Sequence, residues 1–507
     1  MKVSKDELVT VLGQFNPWWR GEPIADLPRW KRAAFLELFA WTTSPPAPRA
    51  VLLSGARQVG KTTLLLQAVD GLLKQGVPTA NILYATFDHP LLKLAGIDAV
   101  LDAWRSREPK AEGPEFLFLD EAQFIRDWGT RIKHQVDFNK QRRILFTGSA
   151  MPLAEAEQES GIGRWHTIRL TTLSFYEYVQ LKGLNLPPLP NVKSLRDLFE
   201  WEAPDFVRTT ETAKAYVGHF HEYLVRGGFP QTAQMESITQ AQQLLREDII
   251  DKALKRDMTA LFGVRRVLDL ENTFLYLCMH DGGLLNISDL SSKLEVKRPT
   301  AQRFIELLEA VHLIYRLPPF GYGKEVLKGH FKVYLADAAI APAVLLKGKG
   351  ILDDPHALGV ATETAVFKHL FARYYAQNVR FTYWRGKRDV EVDLVAEAGG
   401  KLTPFEMKYR AQHTGVRDLK GLLELCRQKT IECAYVITKS LDDIGALRDS
   451  PEGGARIMRV PAPILCYWTG ATEVPRESVQ SHLESKGYPQ ECFEREAARG
   501  DPADSSA

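Results

Sequence analysis

Cysteine is scarce: the five residues Cys278, Cys426, Cys433, Cys466 and Cys492 are scattered through 507 positions without metal-ligand spacing. That argues against structural zinc and suits a reducing cytoplasm. Long apolar runs are also missing. No stretch approaches the ~20 residues that cross a bilayer, and the polar N-terminus is no signal peptide, so a cytoplasmic chain without a membrane partner is expected. One-sided charge is lacking too, since 65 Lys and Arg face 63 Asp and Glu for a net charge of +2. Any nucleic-acid surface must therefore be a local patch. No internal repeat stands out. What is present, 45% hydrophobic and 25% charged residues over this length, fits about three globular domains.

The most informative stretch runs from Ala50 to Leu66. Val51, Leu52 and Leu53 read as a buried parallel strand that breaks at Gly55 and restarts as a helix after Gly60. Gly55, Gly60, Lys61 and Thr62 fit the G-x-x-x-x-G-K-[ST] phosphate-binding pattern, with Arg57, Gln58, Val59 and Thr63 completing the cradle. Glycine lets the backbone turn its N–H groups toward a phosphate, and the helix N-terminus adds partial positive charge. Lys61 would reach the β- and γ-phosphates of ATP, and the Thr62 hydroxyl would sit on Mg²⁺.

Further strands are expected at Asn81 to Phe87, Glu115 to Leu119, Arg143 to Thr147 and His166 to Leu170. The second of these ends in Asp120-Glu121. Asp120 would hold Mg²⁺ through water, and Glu121 would act as general base. Ser149 or Thr147 is placed to sense the γ-phosphate unless Thr147-Gly148-Ser149 is a plain turn. Arg164 would neutralise transition-state charge in its own chain or a neighbour's, or else be an ordinary surface residue. The lead-in, with Asn16-Pro-Trp-Trp19 and Arg29-Trp-Lys-Arg32, reads either as a structural helix on the sheet or as cover for a nucleotide base.

Gly55-Ala-Arg-Gln-Val-Gly-Lys-Thr-Thr63, Leu119-Asp-Glu-Ala-Gln123, Thr147-Gly-Ser149, Gly163-Arg164, Leu173-Ser-Phe-Tyr-Glu-Tyr178 and Arg226-Gly-Gly-Phe-Pro230 together resemble the predicted AAA+ superfamily ATPases of bacteria and archaea. Those pair an N-terminal AAA+ domain with a C-terminal domain of unknown function. The resemblance covers roughly Pro45 to Ser440. It implies ATP and Mg²⁺ as cofactors and leaves oligomer formation open.

Downstream, Leu184 to Val207 is proline-rich and reads as a linker. Leu244 to Leu261 is amphipathic, with Arg246, Lys252, Lys255 and Arg256 on a solvated face. Val267 to Asp337 follows a helix, helix, helix, hairpin order, that of a winged helix-turn-helix. Its third helix exposes Gln302 and Arg303, and its wing carries Lys324, Lys328, His330 and Lys332 against Glu325. Basic groups there suit DNA phosphates, although winged helices beside ATPase domains also serve as lids or protein contacts.

The last constellation joins Glu363 on an apolar helix, Asp393 on one strand, and Glu406 and Lys408 on one face of the next. Two carboxylates and a lysine are what metal-dependent phosphodiester cleavage needs: Asp393 and Glu406 would hold Mg²⁺, and Lys408 would orient water or stabilise the developing charge. Asp-x₁₂-Glu-x-Lys resembles the PD-(D/E)xK nuclease core, with Glu363 as an extra helix acid. The motif's proline is missing before Asp393, where Val392 sits.

The expected fold class is α/β and multidomain. A helical lead-in occupies 1–48, a P-loop AAA+ domain with a parallel sheet 49–182, and a linker and helical segment 183–265. A winged helix follows at 266–340, a nuclease-like α/β domain at 355–470, and a polar, frayed tail at 471–507. Two functions are open: an ATP-regulated enzyme acting on DNA, or a nucleotide-dependent switch or scaffold whose C-terminal domain binds nucleic acid or protein without cleaving.

Overall fold

The structure, a computed structural model, describes residues 3–107, 110–149, 163–321, 330–386, 390–410, 412–447 and 454–472. Five short runs form β1 (Ala50–Ser54), β2 (Ile82–Thr86), β3 (Glu115–Asp120), β4 (Arg142–Gly148) and β5 (Trp165–Arg169), with helices between the first four. They make one parallel sheet in the order β2-β3-β4-β1-β5. Every residue of β1 is buried, as a strand covered by helices on both faces requires. β1, β3 and β4 end at one edge, where the functional groups gather.

The lead-in packs along the β2 edge. The Asn16 side chain exchanges two 2.8 Å hydrogen bonds with the Tyr84 backbone, and the Trp18 and Trp19 indoles donate to the Ile82 carbonyl at 3.3 and 3.0 Å. The paired tryptophans thus cover an exposed sheet edge.

The proline-rich stretch after residue 184 is not a free linker. Leu189, Val192, Leu195 and Leu198 are buried, and the Pro187 and Pro190 carbonyls accept from Tyr216 and Trp468 at 2.7 and 2.9 Å. Apolar residues interleaved with the prolines give the segment a core contact that a composition count misses.

In the middle of the chain, helix Ile238–Glu247 runs into π-helical turns over Asp248–Asp257. Arg246, Lys252, Lys255 and Arg256 are exposed there, as expected of a solvated face. Helices Val267–Met279, Ile287–Lys293 and Arg298–Ala310 follow, with β6 (Leu284–Leu285), β7 (Ile314–Leu317) and β8 (Phe331–Leu335) closing an antiparallel sheet in the order β6-β8-β7. This is the winged-helix order. Lys324, Glu325 and Lys328 lie outside the described residues.

Helix Pro355–Tyr374 leads into a mixed sheet of β9 (Arg380–Arg385), β10 (Glu391–Ala398), β11 (Lys401–Lys408), β12 (Cys433–Thr438), β13 (Gly445–Ala446) and β14 (Arg456–Pro461), in the order β13-β14-β12-β11-β10-β9. The strands β11, β12 and β14 run parallel, and the others are antiparallel. The expected tail from 473 onward is outside the described residues. Among the described residues, no helix is long and apolar enough to cross a membrane.

Candidate functional site

The loop after β1 is shaped by close approach. A Cβ on Gly55 would stand 2.2 Å from the Leu170 carbonyl oxygen, and Gly60 adopts φ +95°. Neither position admits an ordinary side chain in this backbone. Helix Lys61–Lys74 then starts beneath a cavity of about 630 Å³ whose wall includes Arg57, Lys61, Thr62, Thr63, Asp120 and Glu121. Gln58 and Gly60 also line it.

The Lys61 ammonium is buried and donates to the Gly55 and Ala56 carbonyls at 2.9 and 2.8 Å. Burial lowers its pKa, so an anion beside it would restore what water no longer supplies. Thr62 Oγ1 donates to Asp120 Oδ2 at 2.8 Å, and Thr147 Oγ1 to Asp120 Oδ1 at 2.5 Å. Thr147 Oγ1 in turn accepts from the Glu121 backbone N–H at 2.8 Å, tying β3 to β4. Glu121 sits in the left-handed region at φ 54°, and its carboxylate accepts from Gln123 Nε2.

Two expected nucleotide residues stand off the main cavity wall. Ser149 is buried, lines a small adjoining cavity with Arg57 and Gln58, and reaches Glu121 through Gln123, whose Nε2 is 3.1 Å from Ser149 Oγ. Arg164 precedes β5 at the opposite end of the sheet: its carbonyl accepts from the N–H of Ala50, the first residue of β1, and its guanidinium pairs with Asp137 at 2.6 Å. The loop follows the last residue of β1, so a strand length of roughly 13–16 Å separates them. Arg164 is therefore no phosphate ligand within its own chain.

Other contacts were not legible in the motif. The Tyr84 hydroxyl donates to Asp120 Oδ2 at 2.9 Å, its phenol held neutral by burial and by the Asp120 charge. Arg57 pairs with Asp257 of the π-helical turns at 2.6 Å. Arg32 from the lead-in bonds the Val59 carbonyl at 3.0 Å and pairs with buried Glu177 at 2.7 Å, so it braces the loop, while Trp30 lines the cavity. Aromatic content near a nucleotide fold was the one available signal for Trp30.

The second constellation does assemble. The β10–β11 register sets Leu394 opposite Phe405, which carries Asp393 opposite Glu406 one step further on. Lys408 Nζ is 2.5 Å from Glu406 Oε1, and Asp393 Oδ2 accepts from the Met407 N–H at 2.9 Å. Burial, with the Asp393 charge beside it, pushes Glu406 up to about 8 and Glu363 up to about 7. The expected pair thus shares one face of the sheet, but a second lysine stands among these acids. Lys332, expected on the DNA-facing wing, points inward, with its Nζ 3.0 Å from Asp393 and 2.6 Å from Glu391. Among the described residues, no group of three or more His, Cys, Asp or Glu is placed to hold a metal ion. Alternation along a strand could not reveal this, because β8 comes from another part of the chain.

The parallel sheet, its phosphate-type loop and the paired acids define a P-loop fold of AAA+ type, followed by a helical middle and a mixed C-terminal sheet. Residues 47–179 match the family described as "AAA domain". Residues 217–350 and 358–461 match two domains of unknown function, DUF8612 and DUF4143. An uncharacterized protein of Haemophilus influenzae is 28% identical over 375 residues, 71% of this chain and 82% of that one. The uncharacterized protein Rv2008c of Mycobacterium tuberculosis is 26% identical over 380 residues, 74% and 73% of the two. Among solved structures, the Aeropyrum pernix ORC1 protein in complex with DNA is similar at a TM-score of 0.27 and 13% identity, covering 64% of this chain and 95% of that one. The replication initiator DnaA bound to AMPPCP and single-stranded DNA scores 0.23 at 13% identity, with 54% and 86% covered. At such scores the structural likeness carries no functional weight.

Proposed function

We propose that this chain binds and hydrolyses ATP and uses that cycle to act on DNA through its C-terminal half. The observation that carries the ATPase reading is the convergence of Lys61, Thr62, Asp120 and Glu121 on one cavity at the strand ends. Lys61 and the loop amides would take the phosphates. The 2.8 Å approach of the Thr62 hydroxyl to Asp120 fits a divalent site, and Mg²⁺ held there would neutralise charge on the β- and γ-phosphates. Glu121 would accept the proton of the attacking water, with Gln123 orienting its carboxylate. Trp30 and the helix-start residue Pro230, which lies beside Gly60, line the same cavity and support a base pocket there.

Replacing Lys61 with Ala removes the main cation and should abolish ATP binding. Glu121→Gln should keep binding and lose turnover by ~10²- to 10⁴-fold, because an amide cannot accept the proton. Wild-type binding by the Lys61→Ala protein would overturn the assignment.

For DNA, the support is the outer face of the winged helix, where Lys293, Lys297, Arg298, Gln302 and Arg303 are exposed together. A second reading, in which the C-terminal domain binds nucleic acid or protein without cleaving, is favoured by the lysines that pair with its acids, Lys332 with Asp393 at 3.0 Å and Lys408 with Glu406 at 2.5 Å. Incubation with plasmid, linear and single-stranded DNA, with and without ATP and Mg²⁺, separates cleavage from binding.

A further inference from the structure

Lys332 sits in β8, the central strand of the winged sheet, with Leu284 opposite it on one side and Leu317 on the other. Its side chain is only 5% exposed, and its ammonium lies 2.6 Å from Glu391, 3.0 Å from Asp393 and 3.8 Å from Glu363. A lysine so deeply buried persists only when its charge is paired and its donors are used, and these three carboxylates meet both needs.

Most of the remaining oxygens are engaged as well. Asp393 Oδ2 takes the Met407 N–H at 2.9 Å, Glu363 Oε1 takes the Tyr334 hydroxyl at 2.7 Å, and Glu406 Oε1 is paired with Lys408, which leaves Glu406 Oε2 as the one buried oxygen among these without a partner. A Mg²⁺ or Mn²⁺ ion would need several carboxylate or water oxygens about 2.1 Å away in near-octahedral array. That ion would stand within contact distance of a buried like charge. The residues present do not fit it.

We infer that Lys332 is the resident cation of the C-terminal acid pocket, so that the pocket takes no divalent metal and instead locks the winged sheet to the mixed sheet. The junction around it supports a fixed lock over a removable plug. Phe320 N–H donates to the Tyr383 carbonyl at 2.7 Å, and Tyr383 N–H to the Pro318 carbonyl at 3.0 Å, so the chain after β7 runs alongside β9. The Tyr383 hydroxyl donates to the His330 carbonyl at 2.6 Å, just before β8. The Tyr334 ring stacks on Phe367 at 4.2 Å. The strand that carries Lys332 is paired on both sides, so its backbone is held in place over the acids. The mixed sheet is thereby a structural partner of the winged sheet, not a metal-dependent nuclease. This goes beyond the ATPase assignment and does not depend on it.

The test is a Mn²⁺ titration of the full chain, read by electron paramagnetic resonance without nucleotide and without DNA. An Asp120→Asn background removes any contribution from the P-loop. In that background, Asp393→Asn should leave the Mn²⁺ isotherm unchanged, whereas Lys332→Met should add one Mn²⁺ site that Asp393→Asn then removes. A Mn²⁺ site in the chain with Lys332 intact that disappears on Asp393→Asn would overturn the inference. So would DNA cleavage by the wild-type chain that depends on both Mg²⁺ and Asp393. The comparison with and without Asp393→Asn decides the question even if Lys332→Met does not fold.

Discussion

Arg57 of the phosphate-binding loop reaches both carboxylate oxygens of Asp257 in the π-helical turns, at 2.6 and 2.7 Å. Asp257 is almost fully buried, so the loop and the helical middle are joined by a charge pair that water scarcely screens. Removing Arg57 leaves a buried carboxylate without its partner. Arg57→Ala should therefore destabilise the protein by about 3 kcal/mol, and the Arg57→Ala/Asp257→Ala double variant by less than the sum of the singles. Urea midpoints of the four proteins give the coupling directly. Strict additivity would mean the pair does not hold the two parts together.

Gly55 tests the loop without touching a charge. A methyl group there meets the Leu170 carbonyl at 2.2 Å, so the loop must shift away from the end of β5. Gly55→Ala should lose ATP binding while retaining the circular dichroism spectrum of the wild type. Retained ATP affinity would show that the loop geometry tolerates the displacement.

The basic face of the winged helix should contact DNA phosphates. Gln substitutions at Lys297, Arg298 and Arg303 should weaken binding across all sequences and reduce the slope of log affinity against log salt by about one for each phosphate left unneutralised. Replacing Lys332 is the wrong experiment for this purpose, because its ammonium is buried among acids. An unchanged slope would assign the face to a protein partner.

Asp281 makes stability depend on pH. Burial raises its carboxyl to about 7, against hydrogen bonds from Leu335 N–H at 2.9 Å and Thr364 Oγ1 at 2.7 Å that favour the charged form. The folded chain thus holds a proton that the unfolded chain releases near pH 4. That contribution is fully present at low pH and is lost as pH rises toward 7, by at most about 1.4 kcal/mol per unit. Asp281→Asn should therefore gain stability relative to wild type between pH 5 and 7 and hold a constant difference above that. A difference flat with pH in urea titrations at pH 5, 6, 7 and 8 would refute it.

Much of this was readable in one dimension. Spacing alone located Gly55, Gly60, Lys61 and Thr62, because cradling a phosphate needs particular residue types a few positions apart along one strand–loop–helix. The apolar runs announced the five parallel strands, and alternation put Glu406 and Lys408 on one face, since a strand's period of two is a local property. Asp120 and Glu121 followed from their place at the end of an apolar run. Each of these depends on contacts a few residues apart.

What only the tertiary structure decided depends on residues far apart in the chain. Arg164 and the loop belong to neighbouring parallel strands, but Arg164 precedes the first residue of its strand whereas the loop follows the last residue of the other, so they stand at opposite ends of the sheet. Tyr84 meets Asp120 because β2 and β3 are neighbours, and Arg57 meets Asp257 across 200 positions. Lys332 looked like one more exposed charge on a hairpin. It is a counter-ion because β8 packs over helix Pro355–Tyr374 and β10, and whether a lysine meets water or three carboxylates is set by which surface its strand covers.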